Sequence, residues 1–586
     1  MAKVSRANGQ GISLLILLAL LLTSYGAVVA ATDDIAPEAS SGIRAEVNSA
    51  RFEHAIAVTA NPYASDAAND ILKRGGSAID AAITAQLVLG LVEPQSSGIG
   101  GGAFLLHYNA SQQQLAYFDG RETAPTGVGD DLFLNGDGQP MGFYEAVVGG
   151  RSVGVPGVVA MLEKAHQHGG KLPWKTLFEP AIRLSRDGFI VSERMHQMVA
   201  KTPKIEARKA IRDYLFIDDN PVAVGYRLKN PAYADTLTLI AQQGSKGFYQ
   251  GAVAAAIVAA VQTDENAGSL AINDLKNYHS KQRRPLCGQY REFDVCGAAP
   301  PSSGASTVIA ILGVLEQVLA QDYQPSSLSF THLFAESSRL AFADRNRYVG
   351  DPDFVEVPLQ IIAPKYLQQR AQLLRHNKTM PADVAVAGRF DGLANITAAS
   401  PELSSTTHLV IVDSDGNSVS MTSSIENAFG SRLMVAGFIL NNQLTDFSFS
   451  RDADDRRVAN RVEANKRPRS SMSPMIVMKN NRPYLLIGSP GGARIIDFVA
   501  KTTAYVLDQK LGLAEAIASP QIIHMGRRLE LEQSAVFEHL KPQLEQMGHR
   551  VDVKLINSGI HAVLIGDSGE LTGAADPRRE GRVSGY

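Results

Sequence analysis

Two threonines head an apolar run in "SSTTHLVIVDSDGNSVSMTSS", residues 404–424. A threonine hydroxyl is a weak nucleophile unless a base lies beside it. The residue's own α-amine becomes such a base once Thr406 is an N-terminus. That chemistry requires the peptide bond between Ser405 and Thr406 to be cut. The preceding run, 381–405, has little periodicity and many small residues, and it reads as an exposed linker. Taken alone, a Thr-Thr pair here is also simply the start of a strand.

The segment reads as a hairpin. Leu409 to Val412 is apolar and largely β-branched, Asp415-Gly416 is a turn signal, and Ser418 to Thr422 alternates again. A two-residue turn would set Thr406 opposite Ile425, with Ser424 within one position of it; the register can slip by one. A hydroxyl at Ser424 is suited to orienting Thr406 or relaying its proton. Acyl transfer also needs donors for a tetrahedral oxyanion. In "IGSPGGARII", Gly491-Gly492 falls at a strand-to-helix junction, where free backbone N–H groups point outward. Alone, that segment reads first as a tight turn.

The elements that must hold these residues alternate in type. Tyr63 to Leu91 reads as helix, broken at Gly75-Gly76, with a face of small apolar residues. "EPQSSGIGGGAF" then leads into a strand at Phe104 to Tyr108. Its Gly98-Ile-Gly100 is a poor dinucleotide fingerprint, because Ala103 takes the third glycine position and a strand follows, so it signals close backbone packing. Helical patterns fill 154–274, among them 156–167 and 231–243, and recur over 325–375. After the nucleophile segment come strands at Val419, Gly437, Met475 and Tyr484, helices near Ile496 and Leu513, and strand-like runs at Leu529 and Ala562. Strands between two sets of helices predict a layered α+β sandwich.

With 586 residues, 45% of them apolar and 20% charged, the chain is ordinary globular material, and a net charge of −3 leaves no footprint for nucleic acid. The clusters at 281–284 and 466–469 are short enough for local ion pairs or substrate contacts. Lys3 and Arg6 precede an apolar run from Ile12 to Leu22 and the small-residue stretch "SYGAVVAATDD". That is the layout of a secretory signal peptide cut after Ala30 or Ala31; a retained anchor is the alternative. The only cysteines, Cys287 and Cys296, are nine positions apart. In an exported chain they suggest one disulfide across a short strand–turn–strand, the alternative being two buried thiols. With no His or further Cys near them, they do not suggest a metal site.

Eight segments in order give the chain a family likeness: "GGSAIDAAITAQLVLGLVEPQSSGIGGGAF", "FDGRETAP", "PPSSG", "TTHLVIVDSDGNSVSMTSSIENAFGS", "LNNQLTDFS", "NKRPRSSMSP", "GSPGGARII" and "AADPRREGRVSGY". It resembles a γ-glutamyltransferase, a member of the N-terminal-nucleophile hydrolases. The resemblance implies a four-layer αββα sandwich built from two subunits of one precursor: 31–405 after a signal peptide of 1–30, and 406–586. It implies that Thr406 is the nucleophile freed by self-cleavage after Ser405, with Ser424 hydrogen-bonded to it and Gly491 and Gly492 forming the oxyanion hole. Arg121, Ser470 and Ser471 would hold the glutamyl α-carboxylate, and Gln443 and Asp446 the α-ammonium.

Glu426 departs from the family, standing where many members have asparagine near the ammonium. Between Asp446 and Ser470 there is no tyrosine of the kind lidded members carry, so a more open site is expected. The implied reaction is attack on glutathione or another γ-glutamyl donor, with acyl transfer to water, an amino acid or a dipeptide, in the periplasm, without metal or cofactor. The rivals are a glutaryl or cephalosporin acylase on the same scaffold and an uncleaved binding protein for γ-glutamyl peptides.

Overall fold

In the computed structural model, which describes residues 46–321, 323–393, 395–397, 405–449 and 457–586, the strand Thr406–Val412 divides its side chains between two cores. Leu409 and Ile411 pack with Ile71, Ile79 and Val88 from the helices Pro62–Lys73 and Ala78–Val92. Val410 and Val412 point the other way, onto Ile476, Met478, Leu486 and Val563 of a second sheet. That second sheet repeats the pattern, because Met475, Val477, Leu485 and Ile487 face Ile309, Leu333 and Val499 on outer helices. Period-two alternation between two apolar cores therefore generates four layers, helix–sheet–sheet–helix.

Each sheet has seven described strands, all antiparallel. One runs in the order Arg582–Gly585, Ile56–Thr59, Thr406–Val412, Ser418–Ser424, Gly102–Asn109, Gln114–Gly120, Lys281–Arg283. The other runs Asn48–Phe52, Leu571–Ala575, His561–Ile565, Arg482–Gly488, Met475–Lys479, Phe293–Gly297, Leu286–Tyr290. Both sheets interleave strands from before and after Ser405. The helical break at Gly75-Gly76 is present, with Ser77 capping the next helix in a box with Asp80. The glycine loop is a close approach: a Cβ on Gly100 would lie 2.1 Å from Ile439 O, and one on Gly101 2.1 Å from Ser424 O.

The hairpin register differs by one from the two-residue-turn expectation. Thr406 pairs with Ser424, not with Ile425. Gly416 has φ +81 and Asp413 exchanges a backbone hydrogen bond with Asn417, so the loop is three residues ending in a left-handed glycine. Asp413 Oδ1 accepts from the N–H groups of Asp415 and Asn417, and its Oδ2 from Ala78 N–H, docking the turn on a helix start. The two basic clusters make local ion pairs: Lys281 with Asp353 (2.6 Å), Arg283 with Asp119 (2.8 Å) and Lys466 with Glu463 (2.7 Å).

Cys287 and Cys296 face each other in the edge hairpin and are bonded, with Cα atoms 4.1 Å apart. Closing so short a loop contributes about 2–3 kcal/mol at most. Reduction should therefore lower the unfolding midpoint slightly and leave activity intact. Two alkylatable thiols in unreduced, denatured protein would rule the bridge out. No helix among the described residues is long and apolar enough to cross a membrane. The signal-peptide expectation, residues 1–30, lies outside the described residues.

Buried histidines make the fold acid-sensitive. Burial holds His107 down at about 4, and His561 at about 3. Burial, then repulsion from neighbouring cations, holds His549 at about 3 and His524 at about 4. Folded values below the unfolded value of about 6.5 mean that the unfolded chain binds more protons. Their contribution is therefore complete above about pH 6.5 and is lost as pH falls towards 4. Each such histidine represents about 3–5 kcal/mol at the acid limit. Urea midpoints between pH 7 and 4.5 should fall steeply; a flat profile would show that these rings are already charged in the fold.

Candidate active site

Thr406 and Ser424, paired across the hairpin, lie at the base of a cleft. Thr406 Oγ1 donates to Ser424 Oγ at 3.2 Å, and Ser424 Oγ donates to the carbonyl oxygen of Ser405 at 2.8 Å. Glu426 N–H also donates to Ser424 Oγ, at 2.9 Å. The serine thus accepts twice and donates once, which fixes the direction of its proton. It sits between the threonine hydroxyl and the carbonyl of the peptide bond before it. Ser405 is fully buried, with its hydroxyl on Gln95 O, whereas 381–393 is mostly exposed or half-exposed. The exposed-linker expectation therefore fails at its last residue, and residues 398–404 lie outside the described part.

The oxyanion candidates follow the strand Arg482–Gly488. Gly491 has φ +143 and Gly492 φ +59, both left-handed. A Cβ on Gly491 would come within 2.7 Å of the Phe498 ring, so only glycine fits. Among the described residues neither N–H has a hydrogen-bond partner, as donors awaiting a developing charge require.

The cleft is small and lined mainly by polar side chains. Nine of the ten catalytic and binding residues expected from sequence line it, Gly491 being adjacent, and Met472 and Ile495 complete the wall. Arg121 is fully buried, donating from Nε to Pro468 O (3.1 Å) and from Nη2 to Arg469 O (2.8 Å) and Asp446 Oδ2 (2.5 Å). Gln443 Nε2 donates to the same Asp446 oxygen at 2.6 Å. The expected cation and anion thus hold each other within the cleft. Asp446 does not face it as an isolated charge.

Glu426 has φ +77, a strained conformation for a residue with a side chain, and Asn442 Nδ2 bonds its Oε2. Ser470 Oγ accepts from Met472 N–H (3.2 Å), and Ser471 Oγ from Arg345 Nη2 (2.7 Å). Ser302 and Ser303 of the "PPSSG" segment brace this strip through Met472 O and Ser470 O. The open-lid expectation rests on a segment that includes 450–456, outside the described residues.

Sequence reasoning missed Arg345 and Glu122. Arg345 sits on the helix Leu328–Tyr348, and only the tertiary fold brings it to Ser471. Glu122 is buried beside Arg121, Oε2 lying 3.6 Å from Nη1, and among the described residues neither carboxyl oxygen has a hydrogen-bond partner. Burial, only partly countered by Arg121, pushes it up to about 8. At neutral pH it is therefore mainly protonated and leaves the arginine charge to the cleft. Above about pH 8 it ionises and competes for Arg121, so KM for an anionic donor should rise. Glu122→Gln should flatten that rise, and an unchanged KM profile in this variant would remove Glu122 from the account.

One further cluster has ligand-capable groups. Atoms of Glu336, His524 and His549 lie within 4.8 Å of one another. The hydrogen bonds give it another reading. His332 Nε2 must donate to Arg375 O (2.6 Å), so its Nδ1 accepts from His549 Nε2 (2.7 Å). His524 Nδ1 accepts from Gly526 N–H (3.2 Å), which leaves its proton on Nε2. A neutral His524 so held is a donor and not a metal ligand.

A sequence profile described as gamma-glutamyltranspeptidase matches residues 64–586. The chain is 34% identical over 541 residues to the glutathione hydrolase proenzyme of Bacillus subtilis (strain 168), covering 90% of this chain and 91% of that one. It is also 34% identical over 574 residues to the glutathione hydrolase proenzyme of Escherichia coli (strain K12), covering 95% and 96%. Among solved structures, cephalosporin acylase from Bacillus halodurans superposes with a TM-score of 0.80 at 24% identity, covering 92% of this chain and 97% of that one, a likeness of fold alone.

Proposed function

The chain belongs to the gamma-glutamyltranspeptidase family, and on that premise we propose how its cleft performs glutathione hydrolysis and γ-glutamyl transfer. The carrying observation is the hydroxyl chain from Thr406 through Ser424 to Ser405 O, at the base of a cleft holding Arg121, Asp446 and Glu426. In the precursor, Thr406 Oγ attacks the Ser405 carbonyl carbon. Its proton moves to Ser424, whose own proton stabilises the carbonyl oxygen. The C–N bond breaks as the Thr406 nitrogen takes up, by way of Ser424, the proton its hydroxyl gave up, and water hydrolyses the resulting ester to a Ser405 carboxylate and a free Thr406 amine. No protease need reach the buried bond, because every group required is already in contact.

The freed Thr406 then attacks the γ-amide carbonyl of glutathione or a related donor, its amine taking the proton. Gly491 and Gly492 N–H groups meet the oxyanion, and the Cys-Gly amine leaves. Arg121 with Ser470 and Ser471 binds the donor's α-carboxylate; Asp446, Gln443 and Glu426 bind its ammonium. Water completes hydrolysis, and an amino-acid or dipeptide amine completes transfer. We place the enzyme in the periplasm, exported through residues 1–30, with 31–405 and 406–586 as subunits of one cleaved precursor.

The acylase reading is the nearest rival. It gives Glu426 and Asp446, two carboxylates lining one small cleft, no substrate ammonium to meet, and so fits less well. Release of a chromogenic anilide from its γ-glutamyl derivative, with and without glycylglycine, tests the proposal together with a denaturing gel. Two fragments, turnover, and acceleration by the dipeptide are expected. An intact chain without turnover would favour a binding protein, and faster turnover of the glutaryl anilide would favour the acylase.

A further inference from the structure

A second recess, larger than the catalytic cleft, lies behind Arg121. Three separate segments build it. Lys164 comes from the helix Val158–Gly169, Lys246 from the short helix Lys246–Tyr249, and Lys276 from the end of the helix Ile272–Lys276, with His279 just beyond. Among the described residues none of the three ammonium groups has an ion-pair partner. The one carboxylate in the wall, Glu163, is already used, accepting from Ser245 N–H (2.8 Å) and Ser245 Oγ (2.5 Å). Lys164, Lys246, Lys276 and His279 thus outnumber the single carboxylate in the lining of one concavity, in a chain whose net charge is −3. Gathering them there costs repulsion, which an anion would relieve. The floor is aromatic, with the Tyr249 and Tyr278 rings stacked at 5.8 Å and 10° apart in plane.

That floor touches Arg121 by two routes. Tyr278 OH donates to the main-chain oxygen of Arg121 at 2.7 Å. Arg467 lies over the Tyr278 ring, 5.9 Å from its centroid, and donates to His279 O at 3.0 Å. The next two residues, Pro468 and Arg469, supply the carbonyls that hold the Arg121 guanidinium. Movement of the loop at Tyr278 and His279 is thus felt at both ends of that arginine.

We propose that this recess is a second ligand site, for a small organic molecule carrying two or three carboxylate or phosphate charges on a planar body, and that its occupancy tightens donor binding through Tyr278 and Arg121. The coupling rests on the donor-binding role given to Arg121 above; the binding does not. An anion drawing Lys276 and His279 inward fixes the Tyr278 loop, so less ordering of Arg121 remains for the donor to supply.

Benzene-1,3,5-tricarboxylate is the probe. Calorimetry with the full protein should give saturable binding below 1 mM (about the weakest that fixed charge pairs would leave). It should weaken at least about tenfold when Lys164, Lys246 and Lys276 are all replaced by alanine. The probe should lower KM for the γ-glutamyl anilide about threefold or more in the natural chain and leave it unchanged in the triple variant, with kcat little altered. Tyr278→Phe should still bind the probe but lose the KM effect. No saturable binding, or equal binding by the triple variant, would overturn the site. A rise in KM competitive with donor would place the probe in the catalytic cleft and overturn it too. Binding without a KM change would overturn the coupling. An inactive protein that still binds the probe would instead count against the function proposed above.

Discussion

Thr406→Ala is expected to remain one uncut chain and to lose at least about 10⁴-fold in turnover, since it removes both the nucleophile and the route to its base. The geometry makes the two losses inseparable. The same Oγ that would attack a donor lies in contact with Ser424, whose proton rests on the carbonyl oxygen of the bond to be cut. Thr406→Ser keeps that oxygen and should cut itself, more slowly, because it loses the methyl that restricts χ1. Ser424→Ala is the more diagnostic variant. It leaves the Thr406 hydroxyl in place but strips Ser405 O of its donor, so processing should slow by about two orders of magnitude. Sequencing of the smaller fragment should read Thr-Thr-His-Leu. A processed Thr406→Ala chain would show that an outside protease makes the cut, and would end the self-cleavage proposal.

What the sequence made legible followed local signals. The break at Gly75-Gly76, the close glycine loop and the hairpin of the nucleophile each depend on neighbours in the chain, and each appears where expected. The register missed by one because "DSDGN" fits both a two-residue turn and a three-residue loop ending in a left-handed glycine. Asp413, whose carboxylate spans the loop, selects the second. Short strands such as Ile56–Thr59 and Arg582–Gly585 carry too few residues to signal themselves, and they form because the edge beside Thr406–Val412 must be paired. Strands covered on both faces, such as Leu409 to Val412, read as plain apolar runs, so sheet order was not accessible.

At the site, residue types were legible and their mutual contacts were not. Family likeness brought Arg121, Gln443, Asp446, Ser470 and Ser471 together, and all line one cleft. The likeness did not say that Arg121 and Asp446 bond each other, nor that burial raises the Glu122 carboxyl beside Arg121. Both features depend on burial, which a linear pattern does not encode.

That ion pair sharpens the expected behaviour of Asp446→Asn. A γ-glutamyl donor brings a carboxylate for Arg121 and an ammonium for Asp446, so the donor's two charges replace the partners that these residues were to one another. With asparagine at 446 the ammonium enters a buried site without its counter-charge, a loss of roughly 2–5 kcal/mol in comparable buried pairs. kcat/KM for γ-glutamyl donors should therefore fall by about two orders of magnitude or more. A glutaryl donor lacks the ammonium but keeps the carboxylate. For it the substitution frees Arg121 from its internal partner, so kcat/KM should hold steady or rise. Self-cleavage should continue, because Asp446 touches none of Thr406, Ser424 or Ser405 among the contacts described. Opposite responses of the two donors would identify Asp446 as the ammonium's partner. Equal losses on both would mean that it serves only to hold Arg121 in place, and would withdraw the pocket assignment.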